Sequence, residues 1–204
     1  MAETEHPVFA ALYDPLTRLA EGRLRPHREW LVEGLSGRVL DLGAGTGAMF
    51  PYLCDRGLDL DAIDPDPHML KRARGRAADL ECAVELRQGR AESLPYADDS
   101  FDAVVVAFVL CTVDSVEASV DEVARVLRPG GECRFLEHVR AEGWQARLQA
   151  ALTPCWQHAA GGCRLDRETP AAFVSHPDLA VGTLQSVGVG VPPVSPILRG
   201  RARR

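Results

Sequence analysis

Val39-Leu40-Asp41-Leu42-Gly43-Ala44-Gly45-Thr46-Gly47 is an apolar run broken by one acid and closed by alternating glycines. Such a segment reads as a β-strand that turns sharply into a helix, here opening near Met49. Gly43, Gly45 and Gly47 give G-x-G-x-G, whereas Gly43, Gly45 and Ala48 satisfy G-x-G-x-x-A. The backbone of this turn can therefore pass close to a bound nucleotide, but spacing alone does not choose which one. Outward from it, apolar runs alternate with helical stretches from residue 37 to about 140. Strands are predicted at Arg38–Leu42, Leu58–Ile63, Cys82–Arg87, Phe101–Leu110 and Glu132–His138. Apart from Asp102 the fourth is apolar, as expected of a central strand buried on both faces. Asp66-Pro67 predicts an N-cap and first helical residue, and Asp114 with Glu117 predicts a second cap. Pro129-Gly130-Gly131 stops the helix between them and the fifth strand. The pattern is that of an α/β, doubly wound, mostly parallel sheet.

The 204 residues suit one domain. We expect a helical lid segment over 1–36, a cofactor-binding core over 37–140, a helical acceptor-side insertion over 141–175 and a strand pair over 176–204. Apolar residues make up 46% and charged residues 25%, which excludes disordered and fibrous classes. The longest apolar run, Ala103–Cys111, is half of what a spanning helix needs, and the opening residues carry acids where a secretory leader carries bases. A cytoplasmic chain with no integral membrane segment is the expectation. A net charge of −6 argues against nucleic acid as a partner. The six cysteines show no C-x-x-C pair, and a cytosolic setting predicts that all are free thiols. The acids Asp98, Asp99 and Asp102 read as a solvated turn, with no metal expected, and the arginines at 199, 201, 203 and 204 as an exposed strand end. Oligomeric state is not readable.

Charge separates the ligands that the glycines leave open. Asp41 lies two residues before the first glycine, where it would oppose a pyrophosphate but attract a sulfonium and an ammonium. Asp64 ends the second strand, where a carboxylate can accept from both hydroxyls of an adenosine ribose. A nicotinamide-dependent oxidoreductase remains the different-class alternative on spacing, and a non-catalytic adenosyl-binding subunit remains open too.

These residues resemble the class I S-adenosylmethionine-dependent methyltransferases. Residues 39–47 look like the family's first motif, Asp64 like its ribose acid, Pro65–Met69 like the stretch that sets an apolar side chain on adenine, and Ala91-Glu92-Ser93-Leu94-Pro95 like the next motif. Ser100-Phe101-Asp102 and Arg125–Gly131 continue the likeness. It implies a Rossmann-like seven-stranded sheet with a helical lid. It also implies S-adenosylmethionine as cofactor, S-adenosylhomocysteine as product, and cofactor contacts at Tyr13, Asp41, Gly43, Ala44, Gly45, Gly47, Asp64, Pro65, Met69, Ala91, Glu92 and Phe108. Val109–Val113, Phe135–Val139 and Gly162–Thr169 with Trp156 are similar to the thiol methyltransferase branch and its bacterial relatives. That narrower likeness implies a small, apolar acceptor methylated on sulfur, with methylation on oxygen, nitrogen or carbon of a quinone-like, lipid-like or natural-product molecule as the alternative.

Methyl transfer is an in-line displacement, so the protein's task is alignment at about 3–3.5 Å and exclusion of water. A thiol, with a pKa near 8.5, needs only modest help toward thiolate. His138, closing the fifth strand, and His158, in the insertion, are the candidate bases. Cys111, Trp144 and Trp156 are the candidate acceptor contacts.

Overall fold

The computed structural model describes residues 7–189 and 192–204, without the side chains of 7–13 and 15–19. In chain order the elements are α1 (Pro7–Val32), β1 (Arg38–Leu42), α2 (Phe50–Leu53), β2 (Asp59–Asp64), α3 (Pro67–Asp79), β3 (Glu85–Gln88), β4 (Phe101–Ala107), α4 (Val116–Val126), β5 (Leu127–His138), α5 (Gly143–Ala159), α6 (Thr169–Ser175), β6 (Ala180–Val187) and β7 (Ile197–Arg203). The seven strands form one sheet in the order β3-β2-β1-β4-β5-β7-β6. Pairings from β3 to β5 are parallel, and β7 runs antiparallel between β5 and β6. The α/β class and the seven strands match the sequence expectation.

Each element has a local cause. Val104, Val105 and Val106 of β4 are fully buried, because the sheet is covered on both faces and β-branched side chains fill both. In α3, Met69, Leu70, Ala73 and Ala77 fall on one stripe and are buried. Asp66 caps that helix, its Oδ1 accepting from the amides of His68 at 2.7 Å and Met69 at 3.4 Å. The cap of α4 differs from the expectation. Ser115 holds it, its Oγ accepting from the Ala118 amide at 3.1 Å, while the Asp114 carboxylate is drawn off by Arg90 at 2.5 Å. An arginine in reach won that carboxylate from the helix amides. Helix α4 ends at Val126, ahead of Pro129.

Other expectations need correction. Cys54 and Cys82 form a disulfide, with Cα atoms 5.5 Å apart, so four cysteines and not six are free. The bridge ties the end of α2 to the turn before β3, and neighbouring strands had brought the two thiols together although 28 residues separate them. The third strand begins at Glu85, later than expected, and the fourth ends at Ala107, because Phe108 adopts φ of +61° and breaks the extended run. The final arginines are not a fringe. β7 is an interior strand, so Arg199 stacks over Trp30 at 4.7 Å, Arg201 pairs with Glu132, and Arg204 pairs with Asp99. Asp98 pairs with Arg125 at 2.7 Å, and Asp102 takes the Arg38 amide and the Arg128 guanidinium, each at 2.7 Å. No helix among the described residues is long and apolar enough to cross a membrane.

The parallel register levels the carboxyl ends of β1, β2 and β4, with Leu42 opposite both Ile63 and Val106. The chain order steps outward in opposite directions from β1 and β4, and the crevice between them lies at the place where open α/β sheets bind ligands.

Candidate functional site

A cavity of about 570 Å³ opens over those strand ends. Three loops build one end of it. The β1–α2 turn brings Gly43, Ala44 and Gly45 to the wall; β2 delivers Asp64, Pro65 and Asp66; and the loop after β3 delivers Ala91 and Glu92. Gly43 sits at φ +70°, and a side chain there would run into Val109, so only glycine lets the turn and the post-β4 loop meet. Asp64 is engaged through both carboxylate oxygens: Oδ2 accepts from the Gly45 amide and Oδ1 from the Asp66 amide, each at 2.9 Å. Each oxygen keeps a second lone pair for a ligand donor. Burial still pushes its carboxyl up to about 6, against these amides.

Asp41 is more deeply set than the sequence suggested. It is buried, one carboxyl oxygen has no partner among the described residues, and burial with the nearby charge of Asp64 pushes it up to about 8 despite the Arg28 guanidinium. Without a further cation this group holds its proton at neutral pH, so the pair presents one carboxylate and one carboxylic acid. An orphaned carboxyl on a cavity wall is what an arriving sulfonium or ammonium ion would satisfy. Arg28, on α1, also reaches the cavity and is paired with Glu21 at 2.7 Å. α1 is further tied to the glycine turn, since Thr46 donates to Asp14 at 2.6 Å and Asp14 pairs with Arg76 at 3.0 Å.

The opposite end is formed by Phe108, Val109, Thr112 and Val113 after β4 and by Gln157, His158, Gly161, Gly162, Arg164 and Arg167 after β5. A buried carboxyl organises it from beneath. Glu137 Oε1 accepts from the Val109 amide at 2.7 Å and the Leu110 amide at 3.0 Å, and burial pushes this group up to about 7. The left-handed backbone of Phe108, costly for an aromatic residue, is held by its own amide donating to Leu136 at 2.8 Å and by those two bonds.

Of the expected cofactor contacts, Asp41, Gly43, Ala44, Gly45, Asp64, Pro65, Met69, Ala91, Glu92 and Phe108 share the cavity wall. Gly47 does not: it turns toward the Phe50 ring, 2.6 Å from where a side chain would begin. The Tyr13 side chain lies outside the described residues. His158 lines the cavity, and its Nδ1 donates to the Pro154 carbonyl at 2.7 Å, which leaves Nε2 as the lone-pair nitrogen. His138 is off the wall. Its Nδ1 donates to Val194 at 2.7 Å, its ring packs 4.8 Å from Phe108, and burial lowers its pKa, so it shapes the wall through Phe108. The three acceptor candidates also lie off the wall. Cys111 is buried with Cys163 and Leu165, Trp156 packs against that cluster, and Trp144 is 68% exposed. Apolar character did not predict contact, because α5 turns both tryptophans away. The sequence reading passed over Arg28, Glu137, Arg164 and Arg167. Only Glu137 carried a signal, an acid inside the apolar strand Phe135–Val139.

Residues 40–135 match the family described as a methyltransferase domain. The chain is 47% identical over 122 residues to an uncharacterized methyltransferase of Mycobacterium tuberculosis, covering 59% of this chain and 48% of that protein. It is 40% identical over 150 residues to the human thiol S-methyltransferase TMT1B, covering 67% and 58%. The chain thus spans about half the length of these relatives. A crystal structure of an S-adenosylmethionine dependent methyltransferase from Mesorhizobium loti superposes with a TM-score of 0.71 over 89% of this chain and 98% of that one, at 21% identity, and shares the fold.

Proposed function

We propose that the chain, whose residues 40–135 match a methyltransferase domain, uses S-adenosylmethionine and moves its methyl group to the sulfur of a small thiol. The observation that carries the reading is the acid end of the cavity, where Asp64 keeps lone pairs free and Asp41 has a buried carboxyl oxygen without a partner. A ribose diol fits the first and a cationic sulfur or amine the second. Met69 at the start of α3 and Ala91 on the loop after β3 line the same cavity and offer an apolar seat for a flat base. The similarity to a thiol S-methyltransferase supports sulfur as the acceptor atom.

Bound S-adenosylmethionine supplies an electrophilic methyl carbon and a neutral thioether leaving group. The protein's part is positional. Asp64 fixes the adenosine end through a carboxylate already ordered by two amides, so little reorganisation accompanies binding. Glu137 fixes the post-β4 loop and with it the Phe108 wall, which keeps water from the line of attack. His158 lines the cavity, and with Nδ1–H on the Pro154 carbonyl its Nε2 is the nitrogen available to accept the thiol proton. Its share is bounded: a thiol of pKa near 8.5 is already a few per cent thiolate at pH 7.

The test is transfer of labelled methyl from S-adenosylmethionine to a panel of small thiols, alcohols and amines, beside a thermal shift with S-adenosylhomocysteine. Thiol turnover and a rise of several degrees at saturating product are expected, since a ligand at 100 times its Kd adds about 2.7 kcal/mol. Turnover restricted to alcohols or amines overturns sulfur as the acceptor atom. Stabilisation by NAD with none by S-adenosylhomocysteine overturns the whole reading.

A further inference from the structure

The two ends of the cavity carry opposite charge. Resting on the methyl-transfer reading, we propose that the acceptor is a short mercapto acid, whose carboxylate is received by Arg164 and Arg167 while its sulfur points back toward the acid end.

The charges at the acceptor end do not balance. Arg90 is neutralised by Asp114 at 2.5 Å and Glu92 at 3.4 Å. Among the described residues Arg164 has one loose carboxylate partner, Asp166 at 3.7 Å; its side chain is 46% exposed, and the residue lines the cavity. Among the described residues Arg167 has no carboxylate hydrogen-bond partner. Its Nη2 donates to the backbone carbonyls of Val113 and Asp114, and its Nε is buried without an acceptor. Burial and the neighbouring Arg164 charge lower its pKa, only partly offset by the charges of Asp166 and Glu117.

These side chains are mounted firmly. The Arg164 amide donates to the Cys111 carbonyl at 2.8 Å, the Arg140 amide donates to the Arg167 carbonyl at 2.8 Å, and Leu165 between them is fully buried. A segment whose backbone is pinned at both arginines and anchored by a core leucine carries both side chains from fixed Cα positions, which favours selection of a small anion. A guanidinium is suited to this role because its planar fork matches both carboxylate oxygens. The apolar candidates for this end lie elsewhere, Trp144 in solvent and Trp156 against the Cys111–Cys163 cluster. The competing source of a carboxylate is the amino-acid part of the cofactor itself, for which Arg28 stands beside Asp41 at the other end.

The experiment titrates 3-mercaptopropionate, 1-propanethiol and 2-aminoethanethiol into the protein saturated with S-adenosylhomocysteine, by calorimetry, for the native chain, Arg164→Gln and Arg167→Lys. The native chain is expected to bind 3-mercaptopropionate at least tenfold more tightly than either other thiol. Arg164→Gln, at a partly exposed position that folding does not depend on, should reduce that preference by about tenfold. Arg167→Lys, which keeps the charge but loses the fork, should reduce it by less. Equal binding of the three thiols overturns the proposal, as does a preference unchanged in Arg164→Gln. A loss of S-adenosylhomocysteine affinity in Arg164→Gln, with the thiol preference intact, assigns the arginines to the cofactor and also overturns it. Methyl transfer to the same three thiols separates the underlying reading: tight 3-mercaptopropionate binding with no methyl on any sulfur sinks thiol transfer and leaves the anion site standing.

Discussion

At one end of the cavity the polar groups are carboxyls on strand tips, Asp41 on β1 and Asp64 on β2; at the other they are guanidiniums on the connection between α5 and α6. The strand-tip acids are placed by sheet register, which puts any residue at a given offset from the glycine turn at the same depth. The arginines are placed by tertiary packing, through a backbone bond to Cys111 and the burial of Leu165. A scaffold of the first kind holds one ligand in one way. The second can be rebuilt by changing a loop, so the acceptor is the variable part of such a molecule.

The contrast is sharpest if each end is damaged in turn. Asp64→Ala should have the largest effect, a loss of S-adenosylhomocysteine affinity of 10²–10⁴-fold by calorimetry, since two charged hydrogen bonds worth about 1.5–3 kcal/mol each disappear. A change below tenfold would place the adenosine elsewhere.

Glu137→Ala strikes the acceptor end from below. It strands the amides of Val109 and Leu110 without an acceptor in a buried place, and should lower unfolding free energy by about 2–4 kcal/mol in urea. Glu137→Gln, whose amide oxygen still accepts, should lose less; equal losses would show that the carboxyl does not organise the loop.

His158→Ala should lower thiol turnover at pH 7 by no more than about 30-fold, because a few per cent of the thiol is ionised unaided. The deficit should close as pH rises past 9, where the thiol ionises in water. A deficit that persists at pH 9.5 would mean that the ring holds the acceptor and does not take its proton.

The smallest effect separates cofactor from product by charge. Asp64 titrates near 6 and Asp41 near 8, and a cationic ligand prefers both ionised. Affinity for S-adenosylmethionine should therefore rise about tenfold more between pH 6 and 8 than affinity for S-adenosylhomocysteine, which lacks the sulfonium charge. Parallel curves would remove Asp41 from that contact. The ligand-free protein should show the opposite trend in stability. The carboxyls of Asp41, Asp64 and Glu137 are all raised above their unfolded values, so the stability they contribute is complete near pH 4 and is lost as pH climbs toward 8.

How much the sequence disclosed follows the same divide. Glycine spacing, the acids at 41 and 64 and the cap at Asp66 are local patterns, and the grouping of these residues at one end of the cavity could be drawn from them. The depth of Asp41 could not, because burial is a tertiary outcome, as is the approach of the Arg28 guanidinium from 13 residues away. Trp144 and Trp156 misled because helix periodicity says which residues share a face and not what that face meets. The Cys54–Cys82 bridge was invisible for a related reason: the thiols become neighbours only once α2 and the turn before β3 are laid side by side.

The position of β7 carries a consequence for assembly. β6 precedes it in the chain, yet β7 separates β6 from β5 and pairs with both. Until residues 197–203 slot in, β5 offers a bare hydrogen-bonding edge and β6 has nothing to pair with, so a late-stage intermediate exposes two sticky ribbons at once. Production at low temperature and low concentration should therefore favour soluble material more than any increase in native stability does.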